Sequence, residues 1–417
     1  MKKWLILSIS IIFIISCDKN ISLCDATSQK RFVYNDMKEN YLWNNQMPQV
    51  DIDDYSSAEE LLEALKVTQD RWSFIANKKD IENYFNNGKY IGIGVKFTKS
   101  SGNLYVSLVF NNSPAYNAGL KRGAKILKIN GVNVATASDK ELNDALGADK
   151  VGTNVTIEAL QDGSIQTFNM QKDEIFANSV IKKSIINSGN KKIGYLVFDK
   201  FVQFSGNELY NAFKYFRDEN IDKLIVDLRY NGGGLLSIAR YLASLIAGYQ
   251  NGYFAKLIYN DNNQNYNQQL GFISPVNALN LSEVYFITTS HSCSASEAVI
   301  NGLKPYINVK IFGHNSCGKP VGMIPKTFCD KELFAINFKI VNSEDFGDYF
   351  NGIDVDCQAN DDLTHDFGDT NESMLKSVLY YINNNSCMQT QNNRLYRVTK
   401  RKSVLKLYGM HKLTNAF

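Results

Sequence analysis

The stretch from Val284 to Val321 constrains the fold more than any other part of this 417-residue chain. Its first apolar run predicts a strand over 284–289, and a turn of small polar residues then leads into a predicted helix that opens near Ser294. A second strand is predicted over 309–312, before the glycine-flanked loop that contains Lys319. This pattern predicts a serine at the start of a helix and a lysine on a later loop.

Ser294 and Lys319 are residue types that can act together in nucleophilic catalysis. A serine hydroxyl is a poor nucleophile until a base takes its proton, and a neutral lysine can be that base. The pKa of the lysine must then fall from about 10.4 to roughly 7–8, which an apolar setting or a nearby positive charge favours. The plainer interpretation is an ordinary helix N-cap and an exposed Gly-Lys-Pro turn.

Residues 193–246 repeat a pattern of strand, glycine turn and helix, which predicts a mixed α/β core. Strands are predicted over 193–198 and 223–229, with an amphipathic helix between them over 208–217. Three glycines follow at 232–234, and an apolar helix is predicted through Ile246. The glycines do not form a phosphate-binding P-loop, because no Gly-Lys-Ser/Thr closes the turn.

Three motifs of this core resemble those of the C-terminal processing peptidases, also called tail-specific proteases. They are S-A-S-E at 294–297, G-K at 318–319 and D-L-R-Y-N-G-G-G at 227–234, and they occur in the family's order. The resemblance implies a ClpP/crotonase-like serine peptidase core within an α/β multidomain protein.

The same resemblance assigns roles to single residues. It implies that Ser294 is the nucleophile, that Lys319 is its base, and that the backbone N–H groups of Gly233 and Ala295 form the oxyanion hole. In many relatives a glutamine four residues after the lysine orients it. Met323 occupies that position here, and a thioether cannot hold an amine as an amide does.

Residues 113–134 carry S-P-A, A-G-L and I-L-K-I-N-G, which closely resemble a PDZ domain. That fold binds a peptide as an added strand, with the terminal carboxylate on backbone N–H groups of a glycine-bearing loop. The residues in the position of that loop are Tyr90, Ile91, Gly92, Ile93 and Gly94. The resemblance therefore implies polypeptide substrates with a free C-terminus, although the glycines could also serve only hairpin turns.

The first 17 residues have the pattern of an export signal. Lys2 and Lys3 precede an apolar run over 4–15 that is too short to span a bilayer comfortably. The ending Ile-Ile-Ser-Cys resembles a bacterial lipobox, which implies cleavage before Cys17 and lipidation of its thiol. We therefore expect a lipid-anchored protein of the bacterial cell envelope that faces the periplasm or the cell exterior. A plain secretory signal is the alternative.

The domain boundaries expected for the rest of the chain follow from composition and from what these resemblances imply. They are a polar tether over 18–30, a helical domain over 31–88, a PDZ domain over 89–174, the peptidase core over 175–390 and a basic tail over 391–417. The tail could bind anionic lipid or simply be solvated. A net charge of only +3 suggests no nucleic-acid partner, no metal or other cofactor is implied, and the oligomeric state stays open.

Six cysteines remain after Cys17, an even number in a compartment that permits disulfides. Proximity along the chain suggests the pairs Cys317–Cys329 and Cys357–Cys387. Cys293 adjoins Ser294 and is interpreted as a small buried residue, with a rival nucleophile as the alternative. No C-x-x-C pair suggests a zinc cluster.

Two alternatives stay open at this point. His291 and His314 precede Ser294 and Lys319 closely enough for a Ser-His mechanism to be considered. A protein with a catalytically degenerate core, which binds peptides through its PDZ domain as a lipoprotein, is the alternative to a serine endopeptidase with a Ser-Lys dyad that cleaves exported proteins.

Overall fold

A computed structural model describes residues 24–100 and 102–389. The N-terminal region consists of helix α1 (Ala26–Asn40), helix α2 (Ala58–Leu65), strand β1 (Phe74–Asn77) and helix α3 (Lys78–Asn87). Helix α1 begins inside the segment that the sequence predicted to be a tether. Asp25 caps it by accepting a 2.7 Å hydrogen bond from the Ser28 N–H, so a polar sequence still nucleates a helix there.

The middle region is a β-rich domain. Its elements are β2 (Lys89–Gly92), β3 (Val95–Ser100), β4 (Asn103–Val109), α4 (Pro114–Asn117), β5 (Lys125–Ile129), β6 (Val132–Asn133), α5 (Asp139–Ala145), β7 (Asn154–Gln161), β8 (Ser164–Gln171) and β9 (Asp173–Phe176). The strand order is β3-β4-β5-β7-β8, which leaves β3 at the edge of the sheet, while β2 pairs with β9 in a separate ribbon.

The loop predicted over residues 90–94 is shorter in the structure. Tyr90, Ile91 and Gly92 lie in β2, so that only Ile93 and Gly94 connect β2 to β3. The antiparallel partner β9 lies 81 residues or more away along the chain.

The remaining elements form the α/β core. They are β10 (Val180–Ser188), β11 (Lys191–Phe198), α6 (Ser205–Asp218), β12 (Lys223–Asp227), α7 (Leu236–Ala247), β13 (Tyr253–Tyr259), β14 (Gln268–Gly271), β15 (Glu283–Thr288), α8 (Ala295–Leu303), β16 (Asn308–Gly313), β17 (Val321–Met323), β18 (Lys326–Phe328), β19 (Lys331–Phe334), β20 (Ile336–Val341), β21 (Cys357–Gln358) and α9 (Ser373–Asn384). The predicted mixed α/β architecture is confirmed.

The central sheet has the order β10-β11-β12-β15-β16-β21 and is parallel from β11 onward. Its apolar strands lie between buried helix faces, and Leu209, Phe213 and Phe216 of α6 pack on one side as their spacing predicted. Because neighbouring parallel strands end at one edge, the segments after β12, β15 and β16 meet there. These are the glycine turn, the Ser294 turn and the Lys319 loop.

The N-terminal region shares a core with residues 321–336. Strand β1 pairs with β19, and the apolar faces of α1 and α2 pack on Leu333 and Ile336. Within 24–100 and 102–389, no helix is both long and apolar enough to cross a bilayer. The lipobox Cys17 and the basic tail lie outside these ranges.

The disulfides differ in part from the predicted pairs. Cys357–Cys387 is confirmed, whereas Cys317 pairs with Cys293 and Cys329 pairs with Cys24. The prediction of Cys317–Cys329 was wrong because it used distance along the chain. The sheet instead brings the Ser294 turn against the Lys319 loop, and α1 lies beside the β18–β19 hairpin. Cys293 is therefore half of a disulfide that flanks the predicted site.

Candidate active site

Ser294 lies at the N-terminus of α8 in an unusual backbone conformation. Its φ of 54° and ψ of −110° fall outside the left-handed helical region that non-glycine residues occasionally adopt. Such strain persists only where the surrounding structure enforces it, and it is common at functional turns. A sharp strand-to-helix turn of this kind presents a serine hydroxyl at the edge of a sheet, and Ser294 is partly exposed here.

Glu297, one turn into α8, connects this turn to the Lys319 loop. Its Oε2 atom accepts hydrogen bonds of 2.8 Å from the backbone N–H groups of both Ser294 and Lys319. Its Oε1 atom accepts from the Gly318 N–H at 2.7 Å and from the Ser316 hydroxyl at 2.5 Å. Burial raises the pKa of Glu297 above its ordinary value, although these four hydrogen bonds favour the ionised form.

Lys319 lies on a loop that packs against the N-terminal region. Its Nζ atom is 6.0 Å from the centre of the Trp72 ring, and the Arg71 guanidinium carbon lies 4.5 Å from the same ring. Arg71 also donates a 3.2 Å hydrogen bond to the carbonyl of Gly318. The helical region, in which the sequence suggested nothing catalytic, therefore supplies two side chains beside the predicted base.

Gly233 lies against the Ser294 turn. A Cβ atom built on it would be 2.9 Å from the Cβ of Ser294 and 3.0 Å from the backbone nitrogen of Ala295, and its φ is +102°. Only glycine fits so close an approach in this conformation. The structure thus brings Gly233, Ser294 and Ala295 together, as the sequence motifs implied.

The two predicted oxyanion donors differ in their present hydrogen bonding. The Gly233 N–H donates a 2.9 Å hydrogen bond to the side-chain oxygen of Asn231. Within the described part of the chain, the Ala295 N–H at the start of α8 makes no hydrogen bond. Asn231 also accepts through its carbonyl from the Cys293 N–H and the Ser296 hydroxyl, which fixes the glycine turn to the serine turn.

Arg229 lies between β12 and the glycine turn and forms several ion pairs there. It makes a bidentate pair with Glu372, at 2.9 Å for both hydrogen bonds, and further ion pairs with Asp227 and Asp361. Burial opposes ionisation of Asp361, but the charges of Arg229 and Arg122 outweigh it and hold the pKa of Asp361 below its ordinary value. Asp227 and Arg229 therefore position the turn.

The two histidines near the motifs have different settings. Burial lowers the pKa of His291 to about 4, and the charge of Lys96 adds to this effect. Among the residues that the structure describes, no hydrogen bond joins the His291 ring to Ser294, and His314 lies on the exposed start of the Lys319 loop. This arrangement does not favour the Ser-His alternative.

The edge strand of the β-rich domain is fixed to the core through Lys96. Its Nζ atom, on β3, donates to Asp199 at 2.6 Å and to the Tyr230 carbonyl at 3.2 Å. Tyr230 immediately precedes the glycine turn, so this domain contacts the segment that carries Gly233.

Sequence reasoning missed three contributors to the site. Glu297 is the last residue of the S-A-S-E motif, so the motif itself contained a signal for this bridge. Trp72 gave no signal, because its position beside Lys319 depends on the pairing of β1 with β19. The Cys293–Cys317 pair also depends on tertiary structure.

Family models match three consecutive parts of the chain. Residues 28–74 match the Peptidase S41 N-terminal domain, residues 92–171 match a PDZ domain, and residues 192–359 match Peptidase family S41. The fold and the site thus define a multidomain protein in which a PDZ domain accompanies a core of the serine peptidase type. The chain belongs to peptidase family S41, the C-terminal processing peptidases.

Similar proteins span the chain to different extents. A protein of Staphylococcus aureus named "Probable CtpA-like serine protease" is 26% identical over 247 residues, which are 59% of this chain and 48% of that protein. The chain thus spans about half the length of such relatives. The crystal structure of a protein named "Putative S41 protease from Bacteroides fragilis NCTC 9343" is 26% identical, with a TM-score of 0.71, and the match covers 85% of this chain and 97% of that one. The photosystem II D1 C-terminal processing protease shares the fold, with a TM-score of 0.53, at 15% identity over 80% of this chain and 92% of its own.

Proposed function

We propose that this chain is a serine endopeptidase in which Ser294 is the nucleophile and Lys319 its general base. The observation that carries the proposal is the strained Ser294 backbone at the start of α8, joined to the Lys319 loop by the Glu297 carboxylate. Family membership supports the same activity. Trp72 lies beside Lys319, and Arg71 donates to the carbonyl of the preceding Gly318.

The reaction proceeds through an acyl-enzyme. Lys319 takes the proton of the Ser294 hydroxyl as its oxygen attacks the peptide carbonyl, and the proton then passes to the departing amine. Lys319 next takes a proton from water as the water attacks the ester, and it returns that proton to the departing Ser294 oxygen, which releases the new carboxylate and the free serine. The Ala295 N–H donates a hydrogen bond to the developing oxyanion. The Gly233 N–H breaks its hydrogen bond to Asn231 and donates to the same oxyanion.

Substrates are polypeptides with a free, unstructured C-terminus in this proposal. Strand β3 is the edge of the PDZ sheet, so an extended tail can add to it by backbone hydrogen bonds. Ile93 and Gly94, directly before β3, are then the segment nearest the terminal carboxylate. Exported proteins are the substrates expected for an exported enzyme.

We also propose that the protein is lipid-anchored through Cys17 in a bacterial cell envelope. Three disulfides within residues 24–389 suit an oxidising compartment. Intact mass measurement of protein from bacterial membranes tests this proposal. Loss of residues 1–16 and a lipid adduct on Cys17, both absent from a Cys17→Ser variant, are expected; an unmodified N-terminus would contradict it.

Hydrolysis of an unfolded protein with an apolar C-terminus tests the peptidase proposal. The full chain in detergent is compared with Ser294→Ala, Lys319→Ala and the exposed controls Ser282→Ala and Lys376→Ala. Cleavage should disappear in the first two variants and persist in the controls. Cleavage that survives Lys319→Ala alone would point to another base, and binding without cleavage by the parent would favour the peptide-binding alternative.

A further inference from the structure

The Cys293–Cys317 disulfide directly joins the two halves of the candidate site. Cys293 immediately precedes Ser294 in the chain, and Cys317 lies two residues before Lys319. A hydrogen bond of 3.0 Å from the Cys317 N–H to the Ser292 carbonyl lies beside it. The covalent bond and this hydrogen bond hold the lysine loop against the serine turn.

Other contacts hold the rest of the fold without this disulfide. The two cysteines are 24 residues apart, and the segment between them contains α8 and β16. Helix α8 is buried along its whole length, and β16 pairs with both β15 and β21. Loss of the bond therefore leaves the sheet in place and loosens mainly the loop at 314–320. That loop carries the proposed base.

We propose that the Cys293–Cys317 disulfide is a positioning element of the active site, and that its reduction inactivates the enzyme. This inference rests on the proposed Ser294–Lys319 chemistry. Two electrons and two protons from a dithiol convert the disulfide to two thiols, and the dithiol becomes a disulfide. Both cysteines are partly exposed, so a soluble dithiol can reach them. Peptide hydrolysis is thus coupled to an oxidising environment.

The size of the effect follows from the sensitivity of catalysis to geometry. A displacement of 1 Å between reacting groups can lower a rate by about 100-fold. Because the PDZ domain that is proposed to capture the substrate does not contain the disulfide, the loss should appear in kcat and leave KM nearly unchanged.

The chain supplies a matched control for this effect. Cys357–Cys387 closes a separation of 30 residues, close to the 24 of Cys293–Cys317, and it joins β21 to the segment after α9. Disulfides that close loops of similar length restrict the unfolded chain to a similar degree. Removal of either pair should therefore change the thermal unfolding temperature by a similar amount.

The test compares the full chain with two double variants, Cys293→Ser/Cys317→Ser and Cys357→Ser/Cys387→Ser. Peptide hydrolysis gives kcat and KM, a fluorophosphonate probe gives the rate of Ser294 labelling, and thermal unfolding gives stability. We expect about a 100-fold loss of kcat and of the labelling rate only in the first variant. Dithiol treatment should impose the same loss on the parent and on the second variant, reversible on reoxidation.

The outcomes separate failure of the disulfide proposal from failure of the peptidase proposal. A first variant that reacts as fast as the parent, or equal losses in both variants, would overturn the positioning role while leaving the peptidase assignment intact. A parent that neither cleaves peptide nor labels at Ser294 would overturn the proposed function and this inference with it.

Discussion

Glu297 accepts a 2.8 Å hydrogen bond from the backbone N–H of Lys319, 22 residues further along the chain. The same oxygen accepts the N–H of Ser294, so one buried carboxylate fixes the main chain at both proposed catalytic residues. The side chains of the pair are thus placed by backbone restraints, and these restraints can be removed one at a time.

Replacement of Glu297 should inactivate the protein even when the new side chain has the same size and shape. Glu297→Gln places an amide NH2 among four donors, so at least one donor loses its acceptor inside a buried site. We expect about a 100-fold loss of kcat, and Glu297→Ala should also lower the free energy of unfolding by about 3 kcal/mol or more. Enzyme kinetics and urea unfolding measure both effects. Glu344→Gln, on the surface, is the control, and normal kcat in Glu297→Gln would refute this role.

Adjacent glycines should respond differently to one added methyl group. Gly233→Ala forces a Cβ to within 2.9 Å of the Ser294 Cβ at a φ of +102°, whereas the Cβ of Gly232→Ala meets no atom within 4 Å. We expect the first variant to lose about 100-fold in activity, because the serine turn must shift. The second should retain parental activity. Comparable rates for the two variants would show that the close approach of Gly233 is not needed.

Removal of the Arg229 charge should destabilise the whole core. Arg229→Ala leaves Asp227 and Glu372 as buried acids without their shared cation, which should cost about 3–5 kcal/mol of unfolding free energy. Arg229→Lys should rescue only part of this loss, because an ammonium cannot form the bidentate pair. Urea denaturation measures each value. Arg217 is exposed, so Arg217→Ala should change the free energy of unfolding by less than about 1 kcal/mol. An equally small change in Arg229→Ala would contradict the stabilising role of the Arg229 ion pairs.

His291 should make stability depend on pH between about 4 and 6.5. Its pKa is about 4 in the folded protein and about 6.5 in the unfolded chain, so only the unfolded chain binds a proton in that window. Stability is therefore complete above pH 6.5 and falls as the pH drops toward 4, by up to about 3 kcal/mol.

Chemical unfolding at several pH values tests this linkage in the parent and in His291→Asn. The slope of the unfolding free energy between pH 4 and 6.5 should be smaller in the variant, because one titrating group is gone. Identical slopes would mean that His291 titrates normally in the fold.

Local patterns predicted those parts of the fold that depend on neighbouring residues. The strand before Ser294, the helix after it and the apolar face of α6 follow from spacing that the chain itself displays. Cys357–Cys387 was found because its partners are also near one another in sequence.

The remaining features depend on contacts between distant segments. Cys24 pairs with Cys329 across 305 residues, and β2 pairs with the distant β9. Trp72 reaches Lys319 through the pairing of β1 with β19, which no local pattern encodes. The hydrogen bond from the Gly233 N–H to the Asn231 side chain was also not predicted from the motif.

Peptide mapping after fluorophosphonate treatment tests the Ser294–Lys319 assignment most directly. The account predicts a single phosphonylated residue, Ser294, in the parent, no adduct in Ser294→Ala, and labelling slowed by about 100-fold or more in Lys319→Ala. An adduct on another residue, or unchanged labelling in Lys319→Ala, would contradict it.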